Sequence, residues 1–140
     1  MMEQEQLTER IIGCAMRVHS ALGPGFLESV YQKALAHEMR KSGLRIDVEK
    51  SLRVNYDGVV VGEFLVDMLV EDSVLIEIKA VQGLVAAHEV QVVNYLTATS
   101  TTEIGLLLNF GADRLQVKRK YRSYRPRSIQ QTTGQESTGA

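Results

Sequence analysis

The sequence predicts an α/β protein, with a mixed central sheet flanked by helices in the order α-α-β-β-β-α-β-β. Three observations predict it. Residues 7–42 place apolar side chains at three- and four-residue steps, the helical period. Residues 46–80 are rich in β-prone residues and are broken by tight-turn pairs. Residues 73–109 read as strand, helix, strand, a unit that closes as a right-handed crossover and leaves its two strands parallel.

The first helix is expected over 7–22, where Leu7, Ile11, Cys14, Val18 and Leu22 form one stripe and Thr8 offers an N-cap. Gly23-Pro24-Gly25 stops it, because proline cannot continue a helix and glycine accepts the dihedrals of a sharp break. A second helix over 26–42 turns Leu27, Val30, Ala34 and Leu35 toward the core and closes at Ser42-Gly43. The period then changes. Residues 46–56 are extended, Asp57-Gly58 is a two-residue hairpin signal, and 59–70 is a long strand bulged at Gly62. Glu71-Asp72 turns into a third strand, 73–80. After Gly83 a helix over 85–99 turns Val90, Val93 and Leu96 inward. Residues 102–110 are almost all apolar and read as a strand buried on both faces. Gly111-Ala112-Asp113 leads into a last strand, 114–121. Residues 1–122 are expected to form one domain. Residues 123–140 are a polar tail without the apolar groups needed to order it.

Composition narrows the function classes. A chain of 140 residues, 44 % apolar and 24 % charged, has room for one core and is not wholly disordered. Its single cysteine, Cys14, forms no internal disulfide or cysteine-based zinc site, and a reducing, cytoplasmic setting is expected. No apolar run approaches the roughly 18 residues that span a bilayer. MMEQEQLTER does not resemble a secretory signal, so no membrane role is expected. The absence of Trp supplies few stacking platforms for single strands. Residues 1–113 carry a net charge of −7, whereas 114–127 (RLQVKRKYRSYRPR) carry +7. An acidic body with a basic edge suits either a cation site beside a polyanion or a solvated tail that offsets the body.

Three charged residues interrupt the best strands: Asp67 in FLVDMLV, and Glu77 and Lys79 in VLIEIKA. Period-two geometry puts Glu77 and Lys79 on one face. Counting back from the Glu71-Asp72 turn sets Asp67 and Glu77 at similar distances from it, so the carboxylates can be neighbours. Two carboxylates in an apolar setting repel and resist desolvation, and a divalent cation offsets both effects. Carboxylate oxygens and water suit Mg²⁺. Lys79 would add positive charge where phosphate charge develops, or orient a water. The plainer reading is a cross-strand ion pair on a solvent face. His88, Gln91 and Tyr95 form a polar stripe on the following helix that can reach the carboxylate end of the sheet. There Gln91 could bind a phosphate oxygen or a water. Glu28 and Tyr31 are expected on one face of the second helix, with Glu28 either a favourable charge at a helix N-terminus or a third acidic group beside the cation. His19 and His37 read as packing residues.

Together these features resemble the PD-(D/E)xK nuclease superfamily, and within it the small GxxExxY protein family. Gly25, Glu28 and Tyr31 meet the GxxExxY pattern, Asp67 followed by Glu77-Ile78-Lys79 meets the superfamily signature, and Gln91-x-x-x-Tyr95 is similar to the helix motif of its exonuclease branch. Val66 stands where the superfamily name implies proline. The resemblance implies a restriction-endonuclease-like core and metal-dependent hydrolysis of DNA phosphodiesters, with RNA left open as a substrate. By the same resemblance, Asp67 and Glu77 would ligate Mg²⁺ or Mn²⁺ with help from Glu28. Lys79 would position the attacking water and stabilise the phosphorane-like charge, Gln91 would hold that water or the scissile phosphate, and Tyr95 would support Gln91 or touch the nucleic-acid backbone. Tyr31 and His88 join the supporting set. The basic run, through Arg114, Lys118, Arg119, Lys120 and Arg122, would track phosphates. The alternatives are a non-catalytic nucleic-acid-binding or regulatory module on the same fold, and a subunit active only with a partner chain, a homodimer included.

Overall fold

The structure is a computed structural model describing residues 3–99 and 101–122. The polar tail expected over 123–140, and the end of the basic run, lie outside the described residues. The elements are α1 (Gln4–Leu22), α2 (Glu28–Lys41), β1 (Ile46–Tyr56), β2 (Val59–Val70), β3 (Val74–Lys79), α3 (Ala86–Ala98), β4 (Ile104–Asn109) and β5 (Gln116–Tyr121). Their order is the one expected, and their ends fall within three residues of the expected ones.

One five-stranded sheet has the order β1-β2-β3-β4-β5. The β3–β4 pair is parallel, as a crossover through α3 requires, and the other three pairs are antiparallel. Helices α1 and α2 cover one face. There Leu7, Ile11, Cys14, Val18, Tyr31, Leu35 and Met39 pack on Met68, Val70, Ile76, Ile78, Leu106 and Leu108. Helix α3 covers the other face with a smaller core of Val92 and Leu96 against Val66, Leu75 and Leu107. Strand β4 is buried along its whole length, because it has helices on both sides.

Three sequence expectations are corrected. Thr8 is not the N-cap: α1 begins at Gln4, Glu3 precedes it, and the Thr8 hydroxyl donates to the Glu5 carbonyl. At α2, Leu27 precedes the helix and is 76 % exposed, Val30 is 36 % exposed, and the buried stripe is Tyr31, Leu35, Ala36 and Met39. In α3, Val90 is exposed and the buried residues are Val92 and Leu96. Apolar residues lie on two sides of both segments, and the helix phase set by packing on the sheet decides which are buried.

Both hairpin turns put two consecutive residues at positive φ: Asp57 and Gly58, then Glu71 and Asp72. That is the geometry matching the twist of antiparallel strands. The expected bulge is present. Val54 pairs with Gly62 and Asn55 with Val60, which leaves Val61 as the extra residue. A second irregularity has no signal in the sequence. Glu49 has φ 56 and stands between the pairs Val48–Met68 and Lys50–Val66, across from Asp67. Beyond it the β1–β2 ribbon curls to the other side of the sheet, where Leu52, Phe64 and Val66 join the α3 core.

Asn109 ties the ends of β3 and β4 together. Its Oδ1 accepts from the amides of Val81 (3.0 Å) and Gly111 (3.1 Å), and its Nδ2 donates to the Val81 carbonyl (2.9 Å) and to Gln116 Oε1 (2.7 Å). Gly111 is pressed against this junction: a Cβ there would lie 2.4 Å from the backbone N and O of Val81.

Candidate active site

Strands β2 and β3 pair through Val70–Val74, Leu69–Leu75 and Met68–Ile76. The next pair in this register is Asp67 with Glu77, and there the ladder stops. The two carboxylates fill the gap by reciprocal bonds to the opposite strand. The Asp67 amide donates to Glu77 Oε1 at 2.9 Å, and the Ile78 amide donates to Asp67 Oδ2 at 2.6 Å. The register that brings them together comes from the Glu71-Asp72-Ser73 loop, one residue longer than the Glu71-Asp72 pair alone, which closes on a bond from the Ser73 amide to the Val70 carbonyl.

The site is poor in water. Glu77 is 6 % exposed and Asp67 half-buried. Burial, then the neighbouring Asp67 charge, push the Glu77 carboxyl up to about 7. Burial also raises Asp67, against the pull of its bond from the Ile78 amide. Lys79 lies near enough to favour the charged form of both acids. It shares the strand face of Glu77 and Leu75, the face covered by α3.

From α3, Gln91 Nε2 donates to Tyr95 Oη at 2.8 Å, which leaves the Gln91 carbonyl oxygen for another partner. Tyr95 stacks on Phe64 with ring centroids 4.2 Å apart. Its hydroxyl is held above the usual tyrosine range by burial and then by the nearby Glu77 charge, which sets the phenol beside the carboxylates. His88 does not join this stripe. Its Nδ1 accepts from the Val85 amide at 3.1 Å and caps the start of α3.

The Gly25–Glu28–Tyr31 motif divides its labour. Gly25 adopts φ 114, in the break between α1 and α2. Tyr31 is fully buried and stacks on Phe110, with centroids 4.8 Å apart. Its hydroxyl donates to the Gly23 carbonyl at 2.5 Å and accepts from the Phe26 amide at 3.1 Å. Tyr31 therefore does not share an exposed face with Glu28. It locks the break and so fixes where α2 starts. Glu28 is the first residue of that helix, and its charge is felt by both Asp67 and Glu77. Glu28 does not close a three-acid cluster: among the described residues no group of three or more His, Cys, Asp or Glu side chains is placed to hold a metal ion.

Sequence reasoning missed two residues here. Gln32, one turn after Glu28, donates from Nε2 to the Asp67 carbonyl at 3.3 Å. Glu49 adds a further negative charge that Asp67 feels. No composition signal marks either; strand register across β1–β2 would have found Glu49.

The basic run is only partly a surface. Arg114, Lys118 and Arg119 are exposed. Lys120 is paired with Glu89 at 2.9 Å. Arg122 corrects the expectation of a phosphate contact: its side chain is 2 % exposed and donates to the carbonyls of Thr99 and Thr102. His19 meets the packing expectation, with Nε2 3.0 Å from the Ala112 carbonyl oxygen. His37 does not, because it is exposed. No described helix is long and apolar enough to cross a membrane.

Comparison with known proteins agrees with this architecture. The solved crystal structure of SSO0001 superposes with a TM-score of 0.57 at 20 % sequence identity, covering 72 % of this chain and 52 % of that one, which shows a shared fold. The chain thus spans about half the length of that protein. No curated protein matches its sequence significantly. The sequence model of the PD-(D/E)XK nuclease superfamily matches residues 5–120, from the second residue of α1 to the penultimate residue of β5, and the chain belongs to that superfamily.

Proposed function

We propose that the chain hydrolyses DNA phosphodiester bonds with Mg²⁺ or Mn²⁺ held at Asp67 and Glu77. The observation that carries the reading is the split between β2 and β3, where two desolvated carboxylates face each other. Each spends one oxygen on a backbone amide. The other oxygens, Asp67 Oδ1 and Glu77 Oε2, have no hydrogen-bond partner among the described residues. This donor set fits Mg²⁺, which takes one or two protein carboxylates and keeps several waters. Bound there, the ion would supply Lewis-acid polarisation of the phosphate and a nucleophile at neutral pH.

The chain's own residues do the rest. Asp67 and Glu77 hold the ion, and the Ile78 and Asp67 amides orient them. Lys79 places its ammonium on the face of Glu77, where charge develops on the phosphoryl oxygens. Gln91, steadied by Tyr95, keeps its carbonyl oxygen free to orient a water. Glu28 adds negative field from the start of α2. The Gly25, Glu28 and Tyr31 pattern supports a place among the GxxExxY proteins.

The test is calorimetric titration of Mg²⁺ and Mn²⁺ into wild type and an Asp67→Ala/Glu77→Ala variant, followed by cleavage of mixed DNA and RNA substrates. Metal uptake and cleavage should be lost together in the variant. Equal cleavage by the variant would overturn the reading. No metal uptake by wild type, even with DNA present, would make the carboxylates a structural pair and favour a non-catalytic nucleic-acid-binding module.

A further inference from the structure

A groove of about 730 Å³ opens between the exposed side of α2 and strand β1. Its α2 wall carries Lys33, His37, Arg40 and Lys41, spaced four, seven and eight residues from the first, so they lie on one helical face. Lys41 is paired with Glu38 at 3.6 Å, whereas Lys33 and Arg40 have no ion-pair or hydrogen-bond partner among the described residues. Glu49 is the one acid lining the groove, and Gln32 lines the same end. Those two residues border Asp67: Gln32 bonds to its carbonyl, and Glu49 stands across from it in the β1–β2 register. The groove therefore runs from the basic side of α2 to the backbone of Asp67.

From these observations we propose that the groove between α2 and β1 binds the phosphate backbone of one polynucleotide strand and leads it to the Asp67–Glu77 site. The inference rests on the nuclease reading above for its direction, and adds the surface that holds the substrate. Favourable charge at the C-terminal end of a helix accounts for Arg40 and Lys41 alone, since that effect fades within the last turn and leaves Lys33 and His37 unexplained. The basic run at the opposite edge of the sheet is the weaker candidate. Lys120 is paired, Arg122 is buried, and β5 lies three strands from β2.

The test is fluorescence anisotropy with labelled single-stranded DNA, single-stranded RNA and duplex DNA, in chelator so that nothing is cleaved. The proteins are full-length wild type, Lys33→Glu/Arg40→Glu and Lys118→Glu/Arg119→Glu. All four positions are exposed, and circular dichroism verifies the fold. The α2 variant should bind at least tenfold more weakly, and its slope of log affinity against log salt should fall by about 1.5, the value for two lost phosphate contacts. The β5 variant should stay within about twofold of wild type. Unchanged binding by the α2 variant, the larger loss in the β5 variant, or no binding by wild type would each overturn the proposal. The nuclease reading fails separately. Cleavage that needs Glu77 but survives Lys33→Glu/Arg40→Glu overturns the groove alone, whereas α2-dependent binding without cleavage under any metal upholds the groove and overturns the nuclease.

Discussion

Replacing Glu77 by Gln should stabilise the metal-free protein at neutral and alkaline pH. Glu77 titrates at about 7 in the folded chain, against 4.5 for a free glutamate. A carboxyl whose folded pKa is raised favours folding while protonated. Its contribution is complete below pH 4.5 and is lost as pH rises through about 7. The gap between the two values, at about 1.4 kcal/mol per pH unit, amounts to about 3 kcal/mol lost by pH 8. Asp67 is raised for the same reason and adds to the trend. At this chain length, about 3 °C of Tm per kcal/mol converts the loss to roughly 10 °C. Glutamine keeps the shape and an oxygen to accept from the Asp67 amide, yet has no charge to desolvate. The assay is thermal melting between pH 4.5 and 8.5 in chelator, then the same series with excess Mg²⁺. Wild type should melt progressively lower with rising pH, Glu77→Gln should be much flatter, and Mg²⁺ should restore wild type alone. Parallel curves for the two proteins in chelator would refute the account of Glu77 as a buried acid without sufficient counter-charge.

Other substitutions read out the scaffold. Tyr31→Phe removes the hydroxyl that joins Gly23 and Phe26. It should cost about 1–3 kcal/mol, seen as a lower urea midpoint at unchanged slope. Gly111→Ala forces a Cβ to within 2.4 Å of the Val81 backbone and should cost more than about 3 kcal/mol, so a melt near that of wild type would refute the close packing. Arg122→Met should lose about 2–4 kcal/mol by stripping the carbonyls of Thr99 and Thr102 of their partner, while polynucleotide binding measured well below the melt stays as in wild type.

The elements were legible because each announces itself locally: helical stripes, Asp57-Gly58, the Glu71-Asp72 turn, and an apolar run too short to be anything but a buried strand. The Asp67–Glu77 pairing was legible to within one residue, since a tight turn confines the register of the two strands it joins, and the inclusion of Ser73 in the loop decides it. Helix phase was not. Leu27, Val30 and Val90 compete with Tyr31, Leu35 and Val92 for the inward side, and only the sheet's shape decides. A buried tyrosine looks polar in a sequence until its hydroxyl is seen closing the Gly23–Phe26 break. Charge summed along the chain hid the basic side of α2, because Lys33, His37, Arg40 and Lys41 are interleaved with Glu38 and diluted by an acidic body. Nothing local marks Glu49, since glutamate has no preference for a left-handed backbone.

That residue has a consequence for solubility. Strand β1 is eleven residues long and has no neighbour on its outer side among the described residues, which is the arrangement that invites copies of a protein to zip together edge to edge. Glu49 bends this open margin near its start, at φ 56, so a second straight strand cannot track it from end to end. Asp47, Lys50 and Arg53 add charges along the same strand, and Lys118, Arg119 and Lys120 do so on the opposite margin at β5. The dihedral that turns the ribbon at Asp67 thus also protects the sheet from growing into a fibre.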